Sequence, residues 1–185
     1  QQVVINALDN ATFAYAAAGY CQNGADPSPN VSGLNGGAFS SVPSGLVLNT
    51  TTGQIDVSAS VIGSYTVTYT TNGPCPNSST VSVNIDSLDD ASFNYTSLSY
   101  CQSANDPQPT ITGLSGGVFS SSTSGLVISG NTGLIDLDAS TVGTYTVTYT
   151  TGGSCSNSST QTVTINAVDD ASLSYSSTTF CNTGS

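Results

Sequence analysis

Apolar and polar side chains alternate along much of this chain with the two-residue period of a half-buried strand. In the run 65–70, Tyr65, Val67 and Tyr69 fall on one face and Thr66, Thr68 and Thr70 on the other. Val81, Val83 and Ile85 likewise oppose Thr80, Ser82 and Asn84. A face patterned this way packs while its reverse stays wet, as in antiparallel sheets. Clusters of Gly, Pro, Asn and Ser punctuate the runs. The pattern predicts strands at 11–16, 18–22, 29–33, 37–41, 45–49, 54–58, 63–71 and 78–86. Thr, Val and Tyr stand where helix formers would be needed, which argues against helices.

The pattern then repeats. LDNATFAYAAAGYC at 8–21 returns as LDDASFNYTSLSYC at 88–101 and as VDDASLSYSSTTFC at 168–181. GSYTVTYTTNGPCPNSSTVSVNI at 63–85 returns as GTYTVTYTTGGSCSNSSTQTVTI at 143–165, an ungapped period of 80 residues. Residues 9–88 and 89–168 are the two full repeats; 1–8 match the last strand of a preceding repeat and 169–185 the start of a third. Eight short strands per repeat predict an all-β fold: tandem immunoglobulin-like β-sandwich repeats of 80 residues in an extended array. Tyr65, two residues after Gly63, stands where a tyrosine corner would sit, although a Tyr that only fills the core would read the same.

Composition changes the picture in one respect. The 185 residues include no Lys, Arg or His, and eleven acidic residues, all Asp, give a net charge of −11. No Asp can find an ion-pair partner among the side chains, so compensation falls to solvent ions, metal or backbone N–H groups. Nucleic acid is excluded as a partner because nothing here displaces counterions from phosphates. No stretch approaches the ~20 apolar residues of a membrane span, so direct membrane insertion is not expected.

Cysteines stand at 21, 75, 101, 155 and 181, two per full repeat. If Cys21 ends a second sandwich strand and Cys75 follows the long 63–71 strand, both lie at one pole. That topology predicts disulfides Cys21–Cys75 and Cys101–Cys155, with the partner of Cys181 outside the chain. The competing register, Cys75–Cys101 and Cys155–Cys181, would have to span a domain length of roughly 30–40 Å, whereas bonded Cα atoms lie about 4.4–6.8 Å apart. Either pairing places the protein in an oxidising compartment. Two cysteines without His do not make a zinc site.

Catalysis finds little to work with. Without His, Lys or Arg there is no common general base near neutrality and no amine nucleophile, so an enzyme is not expected. Asp136 and Asp138 form a carboxylate pair, but the first repeat has Asp56 and Ser58 there, so the pair is no property of the repeat. Asp26-Pro27 and Asp106-Pro107 read as turn initiators. Acids recur at the repeat junction, where Asp86, Asp89 and Asp90 either form a solvated acidic hinge or offer oxygen ligands to an inter-repeat Ca²⁺, whose shell backbone carbonyls and water would have to complete. No cofactor is otherwise required.

The segment SGLVLNTTTGQIDVSASVIGSYTVTYT resembles the GL-x-L…TTG-x-I…G-x-Y-x-V pattern of bacterial immunoglobulin-like repeats. The whole repeat, with YCQ…DP-x-P…GGxFSS…TYTT…C-x-NSST, is similar to the Cys-containing repeats of giant Bacteroidetes surface adhesins, of the gliding-motility and type IX secretion cargo type. The resemblance implies a structural stalk, exported across the outer membrane to the cell surface, for gliding motility or attachment. Its partners would be neighbouring repeats and surface or secretion-machinery proteins. A ligand-binding module for polysaccharide or cell surfaces, or a subunit of an extracellular fibre, is the alternative. Asp86-Ser87-Leu88 also resembles the D-[ST]-aliphatic glycosylation signal of that phylum, marking Ser87 as an acceptor.

Overall fold

The long alternating runs form the backbone of the fold. In the computed structural model, which describes residues 3–174, 179 and 181, the strands of the first repeat are β1 (Phe13–Ala14), β2 (Gly19–Cys21), β3 (Asn30–Val31), β4 (Ala38–Val42), β5 (Val47–Leu48), β6 (Ile55–Asp56), β7 (Gly63–Thr70) and β8 (Ser78–Asp86). Eight more follow: β9 (Phe93–Asn94), β10 (Ser99–Cys101), β11 (Thr110–Ile111), β12 (Val118–Ser121), β13 (Val127–Ile128), β14 (Ile135–Asp136), β15 (Gly143–Thr150) and β16 (Ser158–Asn166). Each begins 80 residues after its counterpart, as Phe93 follows Phe13 and Ser158 follows Ser78. Among the described residues there is no helix. The chain is all-β.

Two compact units emerge. The first comprises Gln1–Ala91 with Gly113–Gly116 and Thr150–Ser158; the second comprises Ser92–Thr112, Gly117–Tyr149 and Ser159–Ser185. In unit 1 a four-stranded sheet runs β2-β8-β7-β4, and β1–β3 and β5–β6 form two-stranded pairs. The Ile55 N–H donates to the Pro27 carbonyl at 3.0 Å, tying β6 to the chain ahead of β3. Unit 2 repeats this with β10-β16-β15-β12, β9–β11 and β13–β14.

The predicted inward faces are the buried ones. Phe39, Tyr65, Val67, Tyr69, Val83 and Ile85 from the large sheet meet Phe13, Ile55 and Val57 in one core. Their rings pack edge-on or tilted: Phe13 lies 5.5 Å from Phe39 and 5.9 Å from Tyr69 between centroids. Phe93, Phe119 and Tyr149 recreate the group in unit 2. Polar ends of the buried tyrosines are satisfied. The Tyr65 hydroxyl donates to the Val61 carbonyl at 2.6 Å and Tyr145 to Thr141 at 2.8 Å, the back-bond of a tyrosine corner. Tyr15 donates to the Gly53 carbonyl. Gly53 has φ of +73°, and a Cβ there would stand 2.6 Å from Pro29 and 2.8 Å from the Phe39 ring, so only glycine fits.

One topological expectation fails. The sequence places 18–22 as a strand returning toward the pole the chain came from. Instead β1 joins β3 antiparallel, and the chain continues into β2, which pairs parallel with β8: Gly19 opposite Asn84, Tyr20 opposite Ile85, Cys21 opposite Asp86. The 11–22 region is one strand direction broken at Ala16–Ala18 and shared between two sheets. Residues 3–8, read as the last strand of a preceding repeat, form no strand here, and Ile5, counterpart of buried Ile85, is 93% exposed. Of the third-repeat start at 169–185, residues 175–178, 180 and 182–185 lie outside the described residues.

Candidate functional site: the cysteine-bearing loops

The loop 151–157, between β15 and β16, is closed on itself before any partner is considered. Thr151 N–H donates to the Asn157 carbonyl and Asn157 N–H donates to the Thr151 hydroxyl, both at 2.9 Å. That hydroxyl donates onward to the Asp89 carboxylate at 2.8 Å. The Asn157 side-chain amide donates to the Asp89 carbonyl at 3.0 Å, and Asp89 N–H to the Cys155 carbonyl at 2.9 Å. Asp89 thus clamps the loop at both ends, with buried Thr151 as the hub. Gly153 passes so close to the carboxylate that a Cβ would collide with it. The loop 71–77 is built identically around Asp9: Thr71 hydroxyl to Asp9 carboxylate 3.0 Å, Asn77 amide to Asp9 carbonyl 3.0 Å, Asp9 N–H to Cys75 carbonyl 2.8 Å.

The other half lies where β2 ends. Gln22 N–H donates to the Asp86 carbonyl at 3.2 Å, Gly24 N–H to the Cys21 carbonyl at 2.9 Å, and the Gln22 side chain to the Ser60 carbonyl at 3.0 Å. Ser60, buried, accepts from Val47 N–H and donates to the Asp56 carbonyl. Cys21 is therefore presented from a fixed strand end.

These two halves are bonded. Cys21 and Cys155 form a disulfide with Cα atoms 5.4 Å apart, across 134 residues of sequence. Both cysteines belong to unit 1, which takes the loop 150–158 together with residues 1–91. The expected pairs Cys21–Cys75 and Cys101–Cys155 are not formed: Cys75 and Cys101 are free thiols, as is Cys181. Strand polarity is the reason. Parallel pairing with β8 sets Cys21 beside Asp86, at the end of β8, whereas Cys75 precedes its start at Ser78. The nine residues of β8 separate the two poles by roughly 26 Å at ~3.3 Å per residue. A disulfide reaches about 4.4–6.8 Å between Cα atoms.

Two of the junction carboxylates, those of Asp86 and Asp89, have partners of their own. Asp89 holds the Cys155 loop; the Asp86 carboxylate accepts from the Asn84 side-chain amide; the Asp90 carbonyl accepts from Leu114 N–H at 2.7 Å. Among the described residues no three acidic, His or Cys side chains come together as a ligand set. The carboxylates of Asp86, Asp89 and Asp90 alone fall short of the about six to eight oxygens of a Ca²⁺ shell, so an inter-repeat ion would draw on backbone carbonyls and water as well. Asp26 and Asp106 accept from Val57 and Leu137 N–H at 3.0 and 2.9 Å, fastening the chain to the strand beyond β6 and β14. Asp56 and Asp136 each accept from a backbone N–H three residues on, at 2.9 Å. The Ala59 N–H and then the Ser58 hydroxyl lower the Asp56 pKa from its ordinary 3.8. Burial, with Tyr20 adding to it, raises the Tyr15 phenol above its ordinary value. Ser87 is exposed directly after β8.

No known protein family and no curated protein matches the chain. Solved structures do. Mouse cadherin-23 EC22-24 is 14% identical over 88% of this chain and 65% of its own, with a TM-score of 0.34. Protocadherin gamma B2 extracellular cadherin domains 3-6 are 16% identical over 88% of this chain and 52% of theirs, TM-score 0.38. Drosophila N-cadherin EC1-4 is 16% identical over 82% of this chain and 47% of its own, TM-score 0.31. This chain spans less than two thirds of each, and scores of this size carry no argument about its function.

The role that sequence reasoning missed is that of holding the cysteines, shared by Asp9 and Asp89, Thr71 and Thr151, Asn77 and Asn157, Gln22 and Gln102; Asp89 stood there only as a junction acid. A signal was present. All four pairs are kept between the repeats at exposed-looking positions, where core packing does not demand them.

Proposed function

We propose that this chain supplies structural spacer repeats of a large secreted surface protein of the adhesin type. Its mechanism is mechanical: closed strand ladders, clamped loops and a covalent bridge resist extension. The observation that carries the reading is the Cys21–Cys155 bond, set between two segments that hydrogen bonds have already fixed. A built disulfide belongs to an oxidising compartment, which favours an extracellular location. The sequence resemblance favours a bacterial cell surface reached by type IX secretion, with gliding motility or attachment as the setting. Neighbouring repeats are the partners this reading requires, and exposed Ser87 is where it would place a glycan.

The test is attachment. Beads coated with the oxidised chain are expected to adhere to polysaccharide and cell surfaces no better than bare beads. Saturable adhesion that the free chain competes away would move the function to a binding module and sink the spacer reading.

A further inference from the structure

Each cysteine of the bonded pair has a counterpart 80 residues away that is held in the same way but unbonded. Cys101 ends β10 as Cys21 ends β2: it lies opposite Asn166 in parallel register, Gln102 N–H donates to the Asn166 carbonyl at 3.0 Å, and the Gln102 side chain donates to the Ser140 carbonyl at 2.7 Å. Cys75 sits in its clamped loop as Cys155 does, with the same Thr, Asn and Asp contacts. The difference is cover. Cys155 is 5% exposed, whereas Cys75 is half-buried and Cys101 exposed. The geometry that bonds one pair is thus present twice more, each time as a single half.

We propose that Cys101 and Cys75 are the two open halves of further cross-links of the Cys21–Cys155 kind: Cys101 bonds the loop cysteine of another repeat of this type, and Cys75 bonds a strand-end cysteine like Cys21. The inference rests on the equivalence of the half-sites and stands whether or not the spacer reading holds. The partner group is a thiol in a Thr-clamped loop, which a second copy of this chain or a covalently following repeat would equally present. Because the two halves differ, the contact is heterologous and propagates from chain to chain. The oxidant is a low-molecular-weight disulfide such as oxidised glutathione. The Cys101 thiolate attacks one of its sulfurs and expels a first glutathione thiol; the partner thiolate then attacks the Cys101 sulfur and expels the second. Two protein thiols are oxidised, one disulfide is reduced, and both protons end on glutathione.

The test uses the whole chain carrying Cys181→Ser, incubated with oxidised glutathione over a range of protein concentrations and read by non-reducing gels and peptide mass spectrometry. A concentration-dependent ladder is expected, joined by Cys75–Cys101 peptides. Cys75→Ser and Cys101→Ser chains should each stay monomeric alone, and their mixture should stop at dimers. A second arm uses a chain with residues 89–168 duplicated in tandem, where Cys101 is expected to bond the loop cysteine of the added repeat at any dilution. A link in the lengthened chain alone assigns the partner to a following repeat; a link in both admits a second copy. Cys101 left as a thiol or capped by glutathione in both arms, or symmetric Cys75–Cys75 and Cys101–Cys101 links, overturns the proposal.

Discussion

Pulling the chain by its two ends separates the observed bridge from the one its sequence predicts. With Cys21 bonded to Cys155, force passes across the disulfide, and the intervening segment, a sequence separation of 134 residues, is never loaded. Fully extended, a separation of 134 residues would supply about 440–480 Å of contour. The bonded Cα atoms are only 5.4 Å apart, so nearly all of that length is hidden. Adding reductant should therefore lengthen the final extension by this amount. Two within-repeat bridges, closing 21–75 and 101–155, would instead hide about 360–390 Å in two separate portions. Stability alone does not discriminate as well. On the chain-entropy model the 134-residue loop contributes about 5 kcal/mol, and a loop of 54 residues about 4 kcal/mol. Single-molecule force–extension curves on the end-tethered chain, with and without reductant, are the assay. Two released portions, or no change on reduction, would refute the force path argued here. Cys21→Ser should reproduce the reduced curve without reductant.

Three further outcomes follow from the same contacts. Thr151→Val removes the hub between Asp89 and Asn157 and should cost about 1–3 kcal/mol in urea unfolding; it should also slow Cys21–Cys155 formation from the reduced chain, whereas Thr71→Val should leave that rate unchanged. Tyr65→Phe deletes the bond to the Val61 carbonyl and should lower stability by about 1 kcal/mol by the same measurement. The Asp56 pKa is depressed in the folded chain, so its contribution is complete above its ordinary 3.8 and fades as pH falls through the lower folded value. Urea titrations across that acid range should show a shallower loss of stability in Asp56→Asn than in the parent, and an unchanged slope would remove Ala59 and Ser58 as the cause.

What the sequence revealed depended on how local the determining physics was. The two-residue alternation in 63–71 and 78–86 placed the long strands almost to the residue, because burial of Tyr65, Val67, Val83 and Ile85 fixes register face by face. The strand Ile55–Asp56 came out shorter than expected, since the Asp26 carboxylate takes the Val57 N–H and Asp56 takes the Ala59 N–H just beyond it. The disulfide was misassigned for a non-local reason. Whether 18–22 doubles back beside β1 or carries on to join β8 depends on the break at Ala16–Ala18, and no hydrophobic pattern reports strand direction. The Asp89 clamp was not legible for a similar reason: the sequence holds no cation for it to meet, and its hydroxyl donor, Thr151, lies 62 residues away.

Strand direction also governs the order of events as the chain is made. Cys21 emerges long before Cys155, and Cys75 and Cys101 both appear in the interval, so its correct mate is the last of the three to arrive. Once β2 has zipped against β8, the nearest-arriving thiol is stranded at the opposite end of a finished sandwich. Folding that outruns oxidation thereby protects Cys21 from its earliest suitor. An oxidant encountered too soon, before the first eighty-odd residues have settled, would trap the chain in the very pairing that its finished form forbids.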